Sequence, residues 1–337
     1  MMNLFPKTHI DFLKYRKVYF SLFAAVIVAG VICFWTKGFN MGIDFTGGTM
    51  VQVQFNAPVE MSQLREALTA TGANSEIQSY GDNTFSISEK STANEVGVVQ
   101  ARIEKALDTL NVPYTVQQTN SVGPAVGESM TNRAIGAIAL SLFFIIVYVA
   151  FRFSNVLWSF SGVIALFHDL WVMALAFCIT GREIDLVVVA AFLTVAGFSI
   201  NDTIVIFDRI RENMRLNPRA TLGQLINQSI NETLSRTVIT SVTVVGALFV
   251  LYFCGGEALN SFSFAMLVGC ICGFYTTIAL TTPLVYVWSK GALEGMAQTA
   301  KPAAKPVERK QEVKPVAAAP AAAPAHKATR KSRRNRN

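Results

Sequence analysis

Residues 186–213 read LVVVAAFLTVAGFSINDTIVIFDRIREN. The first part of this stretch is a run of about twenty apolar residues, enough at about 1.5 Å per residue to cross a hydrocarbon core of roughly 30 Å. Asn201 and Asp202 sit inside it. A carboxylate in the middle of a spanning helix costs on the order of 2.5–3.5 kcal/mol on insertion scales, so such a group faces a protein interior or a water-filled path. Asp202 is therefore a candidate functional residue by position alone. Counting residues from the middle of the run puts it roughly 8–9 Å to the cytoplasmic side of the helix centre.

The rest of the chain has the composition such a span requires. Of 337 residues, 52% are hydrophobic and only 15% charged, and the mean hydropathy is +0.39, which excludes an ordinary soluble protein. Six runs are apolar enough to span, over residues 18–35, 134–151, 156–179, 186–207, 238–254 and 262–288. The net charge of +7 invites a nucleic-acid reading, but residues 291–337 alone hold eleven Lys/Arg against three Glu. The excess belongs to a tail, and no nucleic-acid partner is expected. A basic tail beside a membrane is drawn to anionic lipid headgroups, with a ribosome-like partner as the lesser reading. Its Ala/Pro/Lys/Arg composition without periodicity predicts disorder.

Flanking charge sets the orientation. Lys7, Lys14, Arg16 and Lys17 precede the first run, Arg152 follows the second, and Arg209, Arg211, Arg215, Arg219 and Arg236 lie between the fourth and fifth. Loops 181–185 and 255–261 contribute only Arg182. Positive flanks mark the cytoplasmic side, so both termini lie in the cytoplasm and residues 38–132 lie outside it. The first run ends in Phe34-Trp35-Thr36-Lys37 with no small-residue cleavage site, so it reads as an uncleaved anchor after a cytoplasmic segment 1–17.

Segment 38–132 opens on MGIDFTGGT (41–49). Its glycine density suits a turn and a close backbone approach, with Asp44 able to cap; no GK[ST] follows and no helix is expected to open there, so it is not a phosphate loop. Strand 49–55, helix 60–71, strand 76–80, strand 84–88, helix 93–110 and strand 113–119 follow, in the order of a ferredoxin-like unit. The segment holds no His and no Cys, which argues for a binding or hinge role over an enzymatic one. VGPAVGE (122–128) then links the domain to the second run as a turn or pivot. Gly42, Asp44, Gly47, Gly48, Gly123 and Pro124 are the candidate hinge residues.

Several polar groups interrupt the runs. His168-Asp169 lies near the middle of the third, with two readings: a pair hydrogen-bonded in the core, or a proton relay that would draw in Ser199 and Asn201. Asp208, six residues beyond Asp202, reads as a solvated boundary charge. Loop 208–236 carries Leu222, Leu225, Ile226, Ile230 and Leu234 at helical spacing, predicting an amphipathic helix along the inner surface. Arg236 opens the fifth run. A guanidinium snorkels roughly 6 Å along its stem, enough to reach the depth of Asp202 if the two helices touch; the plain alternative is a headgroup anchor. Gly269, Gly273, Thr276 and Thr277 fit the sixth run for close packing, and Pro283 for a kink. The five cysteines, Cys33, Cys178, Cys254, Cys270 and Cys272, read as small buried fillers with no metal site. Their odd number speaks against a disulfide framework, although one pair among Cys33, Cys178 and Cys254 can meet at the outer boundary.

GIDFTGG (42–48), VGPAVG (122–127), HD (168–169), SINDTIVIFDRIREN (199–213) and SRTVITS (235–241) resemble the signature segments of the SecF family of bacterial protein-export membrane subunits. The resemblance runs over roughly residues 10–290, and SINDTIVIFDRIREN is its most specific segment. It implies a six-span α-helical bundle, half of an RND-type transporter, with a ferredoxin-like α+β periplasmic domain in the inner membrane. It implies SecD as the partner that completes twelve spans, the SecYEG channel with YajC and YidC nearby, preproteins as cargo, and no cofactor or enzymatic activity. The family's intramembrane acid and base correspond to Asp202 and Arg236, and a further essential acid is expected on SecD. The tail after about residue 300 departs from the family pattern.

On this reading Asp202 alternates between a protonated form and an ionised form paired with Arg236, using the proton-motive force to help draw preproteins out. Two rivals stand beside it. One is a subunit that only holds SecD and channel partners together, with Asp202 and Arg236 as a packing pair. The other is an RND-type small-molecule or lipid exporter, for which an outer segment of about 95 residues is small.

Overall fold

A computed structural model of the chain describes residues 8–73, 75–79, 83–90, 96–153 and 155–289. The basic tail, and the disorder and lipid contacts expected of it, lie outside the described residues, as does Lys7. In chain order the elements are α1 (Arg16–Lys37), β1 (Asn40–Met41), α2 (Ile43–Thr46), β2 (Gly48–Phe55), α3 (Met61–Ala70), β3 (Ser75–Ser79), β4 (Thr84–Glu89), α4 (Val96–Asp108), β5 (Tyr114–Val122), α5 (Pro124–Arg152), α6 (Val156–Thr180), β6 (Glu183–Ile184), α7 (Leu186–Leu216), α8 (Leu222–Cys254) and α9 (Glu257–Thr276). Beyond α9 the helix widens into a π-turn over Thr277–Thr281 and continues to Ser289.

Six helices are long and apolar enough to cross a membrane: Leu13–Lys37, Pro124–Arg152, Val156–Thr180, Leu186–Leu216, Leu222–Cys254 and Leu259–Ser289. They differ in burial. α6, α7 and the sixth span are the more buried, while α1, α5 and α8 leave most of their apolar surface exposed. That surface suits lipid or a partner helix. Small residues set the inner spacing: a Cβ on Gly269 would lie 2.5 Å from Val195, and one on Gly273 would lie 3.2 Å from Ser199. The π-turn falls where Pro283 has no N–H to offer the preceding turn, so the irregularity is a local widening of the helix.

The α+β domain is one four-stranded sheet of order β3-β4-β2-β5, antiparallel throughout, with α3 and α4 on one face. This is the expected ferredoxin-like order. Register pairs Val51 with Ile87 and Val53 with Phe85, and strand alternation turns these toward Leu64, Leu68, Ile103 and Leu107. Thr84, Ser86 and Ser88 alternate onto the opposite face of β4, where they too are buried.

Four expectations change. Residues 222–234 do not form a separate surface helix: they are the first turns of α8, one 33-residue helix with a Thr221/Gln224 capping box. The apolar face of those turns, Leu225, Ile226 and Ile230, is buried against the bundle, which keeps the helix on its axis. VGPAVGE is not a loop: Gly123 is the N-cap and Pro124 the first residue of α5, the position where a missing N–H costs nothing. A short helix, α2, does open after Gly42. Cys254 is exposed, not a buried filler.

The glycine motif acts by close approach. Gly42 N–H donates to Ile184 O at 2.9 Å, continuing the parallel β1–β6 pair, and Asp44 accepts from Leu186 N at 3.0 Å, so it caps α7 rather than its own turn. Gly47 has φ +69°, and a Cβ there would lie 2.9 Å from Pro124 Cα. Two backbones meet at that point and neither can yield. Replacing Gly47 by Ala should lower stability by about 2 kcal/mol, from left-handed strain plus the clash. Gly72→Ala, with φ +76° but open space around it, should cost less. Thermal melts of the two purified variants in one detergent test the order, which a smaller loss for Gly47→Ala would reverse.

Candidate functional site

The polar residues of the more buried helices converge where α6, α7 and the sixth span touch. Asp169 is wholly buried and fully hydrogen-bonded: Oδ2 accepts from Ser199 Oγ, and Oδ1 accepts from Thr276 Oγ1 at 2.5 Å and Cys272 Sγ at 3.1 Å. His168 lies beside it, with Nδ1 3.7 Å from Asp169 Oδ1 and Nε2 3.3 Å from the Tyr275 hydroxyl. Phe23 of α1 closes over the imidazole at 5.1 Å between centroids. The sequence flagged His168, Asp169 and Ser199 for this region. It took Thr276 and Cys272 as packing residues; their i, i+4 spacing and Tyr275 beside them were the available signal.

The donor atoms of His168, Asp169 and Cys272 lie within 4.8 Å of one another, spacing that could hold a metal ion. In the structure Ser199 and Thr276 donate hydrogen bonds to the same Asp169 carboxylate.

Asp202 lies three residues beyond Ser199 on α7 and outside that network. It is 4% exposed, and its Oδ2 has no hydrogen-bond partner. An unsatisfied carboxylate oxygen in an apolar bundle is costly. Arg236 of α8 acts on it electrostatically, yet among the described residues no ion pair to Asp202 forms within 4.0 Å. Arg236 is exposed. The pairing weighed from the sequence is thus absent in this conformation, with the two charges in mutual range. The neighbouring Thr203 hydroxyl meets Thr277 Oγ1 at 3.4 Å, at the first residue of the π-turn.

One further residue parts from expectation. Asn201 is exposed, because one residue is a 100° rotation on a helix; it does not join this polar cluster. Asp208 is a solvated boundary charge, its side chain 41% exposed, and it also pairs with Arg152 at the end of α5. Arg209 pairs with Glu212 and Glu232 at 2.6 Å each; Arg236, like Arg211, Arg215 and Arg219, forms no ion pair within 4.0 Å among the described residues. Cys33 and Cys178 are free thiols, and the Cys178 thiol donates to Gly38 O at 3.4 Å.

A six-span helical bundle with buried intramembrane carboxylates and a ferredoxin-like domain defines a class, that of a transporter half-unit. The comparisons narrow it. Residues 102–291 match the family model for the protein export membrane protein SecD/SecF, C-terminal, and residues 34–59 match the SecD/SecF GG motif. The chain is 37% identical over 292 residues to protein translocase subunit SecF of Endomicrobium trichonymphae, covering 85% of this chain and 94% of that protein. It is 36% identical over 283 residues to SecF of Haemophilus influenzae, covering 84% and 86%. The crystal structure of SecDF from Thermus thermophilus, a translocon-associated membrane protein, superposes with a TM-score of 0.77 at 33% identity. It covers 86% of this chain, which spans 40% of that longer one. A SecDF structure in a super-membrane-facing form gives 0.65 at 33% identity, covering 89% and 41%. The chain belongs to the SecD/SecF family of protein-export membrane proteins.

The two carboxylates should respond oppositely to mutation. Asp169→Ala strands the Ser199 and Cys272 donors, leaves Thr276 only the Cys272 carbonyl at 2.6 Å, and should destabilise by about 2–4 kcal/mol. Asp202→Asn removes a lone buried carboxylate and should leave the melting temperature unchanged or raised. Paired thermal melts check this; a larger loss for Asp202→Asn would mean that Asp202 holds the bundle together.

Proposed function

We propose that this chain is the SecF-type half of a protein translocase accessory complex that uses the proton-motive force, with SecD, to promote preprotein movement across the bacterial inner membrane. Family membership supports the export role, and the SecDF likeness supports SecD as the partner. SecYEG, with YajC and YidC, supplies the channel side. In this reading both termini are cytoplasmic and the α+β domain is periplasmic.

The observation that carries proton coupling is Asp202: a buried carboxylate whose Oδ2 has no partner, within electrostatic range of an unpaired Arg236. Burial favours the neutral carboxyl, and an approaching guanidinium favours the ionised form. A movement of α8 against α7 that brings Arg236 in therefore expels a proton, and the reverse movement takes one up. A proton crossing about 150 mV releases on the order of 3.5 kcal/mol, enough to bias a two-state motion. Asp169, with its hydrogen bonds satisfied, sits beside the path as a fixed polar wall; His168 and Tyr275 extend it toward α1.

Inverted membrane vesicles carrying the SecD complex test this. Asp202→Asn and Arg236→Ala should each remove the stimulation of preprotein translocation by the proton gradient, while ATP-driven translocation and co-purification with SecD persist. Full stimulation in the Asp202→Asn, Arg236→Ala double variant would make the chain a non-coupled structural subunit.

A further inference from the structure

The α+β domain touches the membrane body through a second, polar interface. Its sheet has one apolar face, covered by α3 and α4, and one hydroxyl- and amide-bearing face turned toward the loop between α6 and α7. Glu183 of β6 reaches across: its Oε1 accepts from Ser88 Oγ of β4 at 2.9 Å. Both residues are 8% exposed. Among the described residues Glu183 has no cationic partner, because the neighbouring Arg182 is engaged elsewhere, by Asn260 at 2.5 Å, the Tyr252 hydroxyl at 2.9 Å and the Phe264 ring at 4.5 Å. The charged groups facing Glu183 are all acidic: Glu76 of β3, Asp185 at the head of α7 and Asp44 of α2. Beside it lies a cavity of about 200 Å³ lined by Asp44, Asp185, Ser86, Gln118 and Asn120. The Ser86 hydroxyl there, 3% exposed, has no partner.

We propose that Glu183 is a proton-operated latch between the α+β domain and the membrane body, closed when its carboxyl is protonated and bonded to Ser88, and released when it ionises. An ionised Glu183 in the closed joint is dehydrated, unpaired and surrounded by Glu76, Asp185 and Asp44, so ionisation drives the two surfaces apart and lets water in. The joint suits reversible contact, being polar and cavity-bearing rather than a packed apolar seam. Burial, with smaller contributions from those acids and against the Ser88 bond, pushes the docked carboxyl up from 4.5 to about 7. An acid whose value is raised in the docked state binds a proton on docking. Docking is therefore strongest below about 4.5, weakens by up to tenfold per pH unit as pH rises toward about 7, and levels off above that.

The latch goes beyond the Asp202–Arg236 reading and does not depend on it. Its purpose in the cycle would be to let the domain answer proton activity on its own side of the membrane. The full chain in lipid nanodiscs, with no proton gradient, tests it. Spin labels on Val116→Cys of β5 and on the exposed native Cys254 report the distance between domain and membrane body. From pH 5 to pH 8 the docked population should fall, and Glu183→Gln should stay docked throughout. Ser88→Ala, a milder change, should dock less at every pH and keep the pH dependence. A distance unchanged across the range in the unmodified protein, or a pH dependence that survives in Glu183→Gln, overturns the proposal. The same measurement on Asp202→Asn should match the unmodified protein, so failure of the latch and failure of the proton-coupling reading are told apart.

Discussion

A carboxylate in the apolar core of a helical bundle must be neutralised, hydrogen-bonded or solvated, and this membrane domain is arranged around that constraint. Asp169 meets it with Ser199, Thr276 and Cys272 supplied by two neighbouring helices. Asp202, less than one turn beyond Ser199, does not: its Oδ2 is unpartnered. The contrast separates a carboxylate whose hydrogen bonds are satisfied from one with an oxygen left unpartnered. Glycines at 162, 269 and 273 make both environments, because without a Cβ they let α6, α7 and the sixth span approach within reach of short hydroxyl side chains.

The same constraint recurs at the joint between the membrane and the α+β domain. There the acids are Asp44, Glu183 and Asp185. Asp44 and Asp185 are satisfied by backbone N–H groups at the start of α7, from Leu186 and Val188, where a helix N-terminus favours negative charge. Glu183 has only the Ser88 hydroxyl. The glycine motif, the β1–β6 pair and the head of α7 thus form one continuous backbone junction, which joins the domain to the helix that carries Asp202. Gly47 against Pro124 ties the same junction to the head of α5, so the domain is anchored to two membrane helices and held to a third element by a titratable contact.

Length and hydropathy determined much of this from the sequence alone. A bilayer imposes a minimum apolar run, and six runs met it, each inside an observed helix, although the helices at Pro124–Arg152 and Leu222–Cys254 begin well before their runs. Period-two and period-3.6 patterns gave the β-α-β-β-α-β order, since the faces of strands and helices are fixed by local geometry. Asp202 was visible because a lone acid within an apolar run is anomalous in any arrangement of the helices. The tertiary structure alone decided which polar groups meet. Thr276 and Cys272 gain meaning only once the sixth span lies against α6, Asn201 is excluded by its direction of projection, and the Arg236–Asp202 separation depends on how α7 and α8 cross. The run 222–234 has the pattern of a surface helix and becomes the start of α8, because a buried bundle face and a surface face share one periodicity. Glu183 drew no notice in the sequence and is buried only once the sheet's polar face closes over it: burial belongs to the packed fold, and no local pattern encodes it.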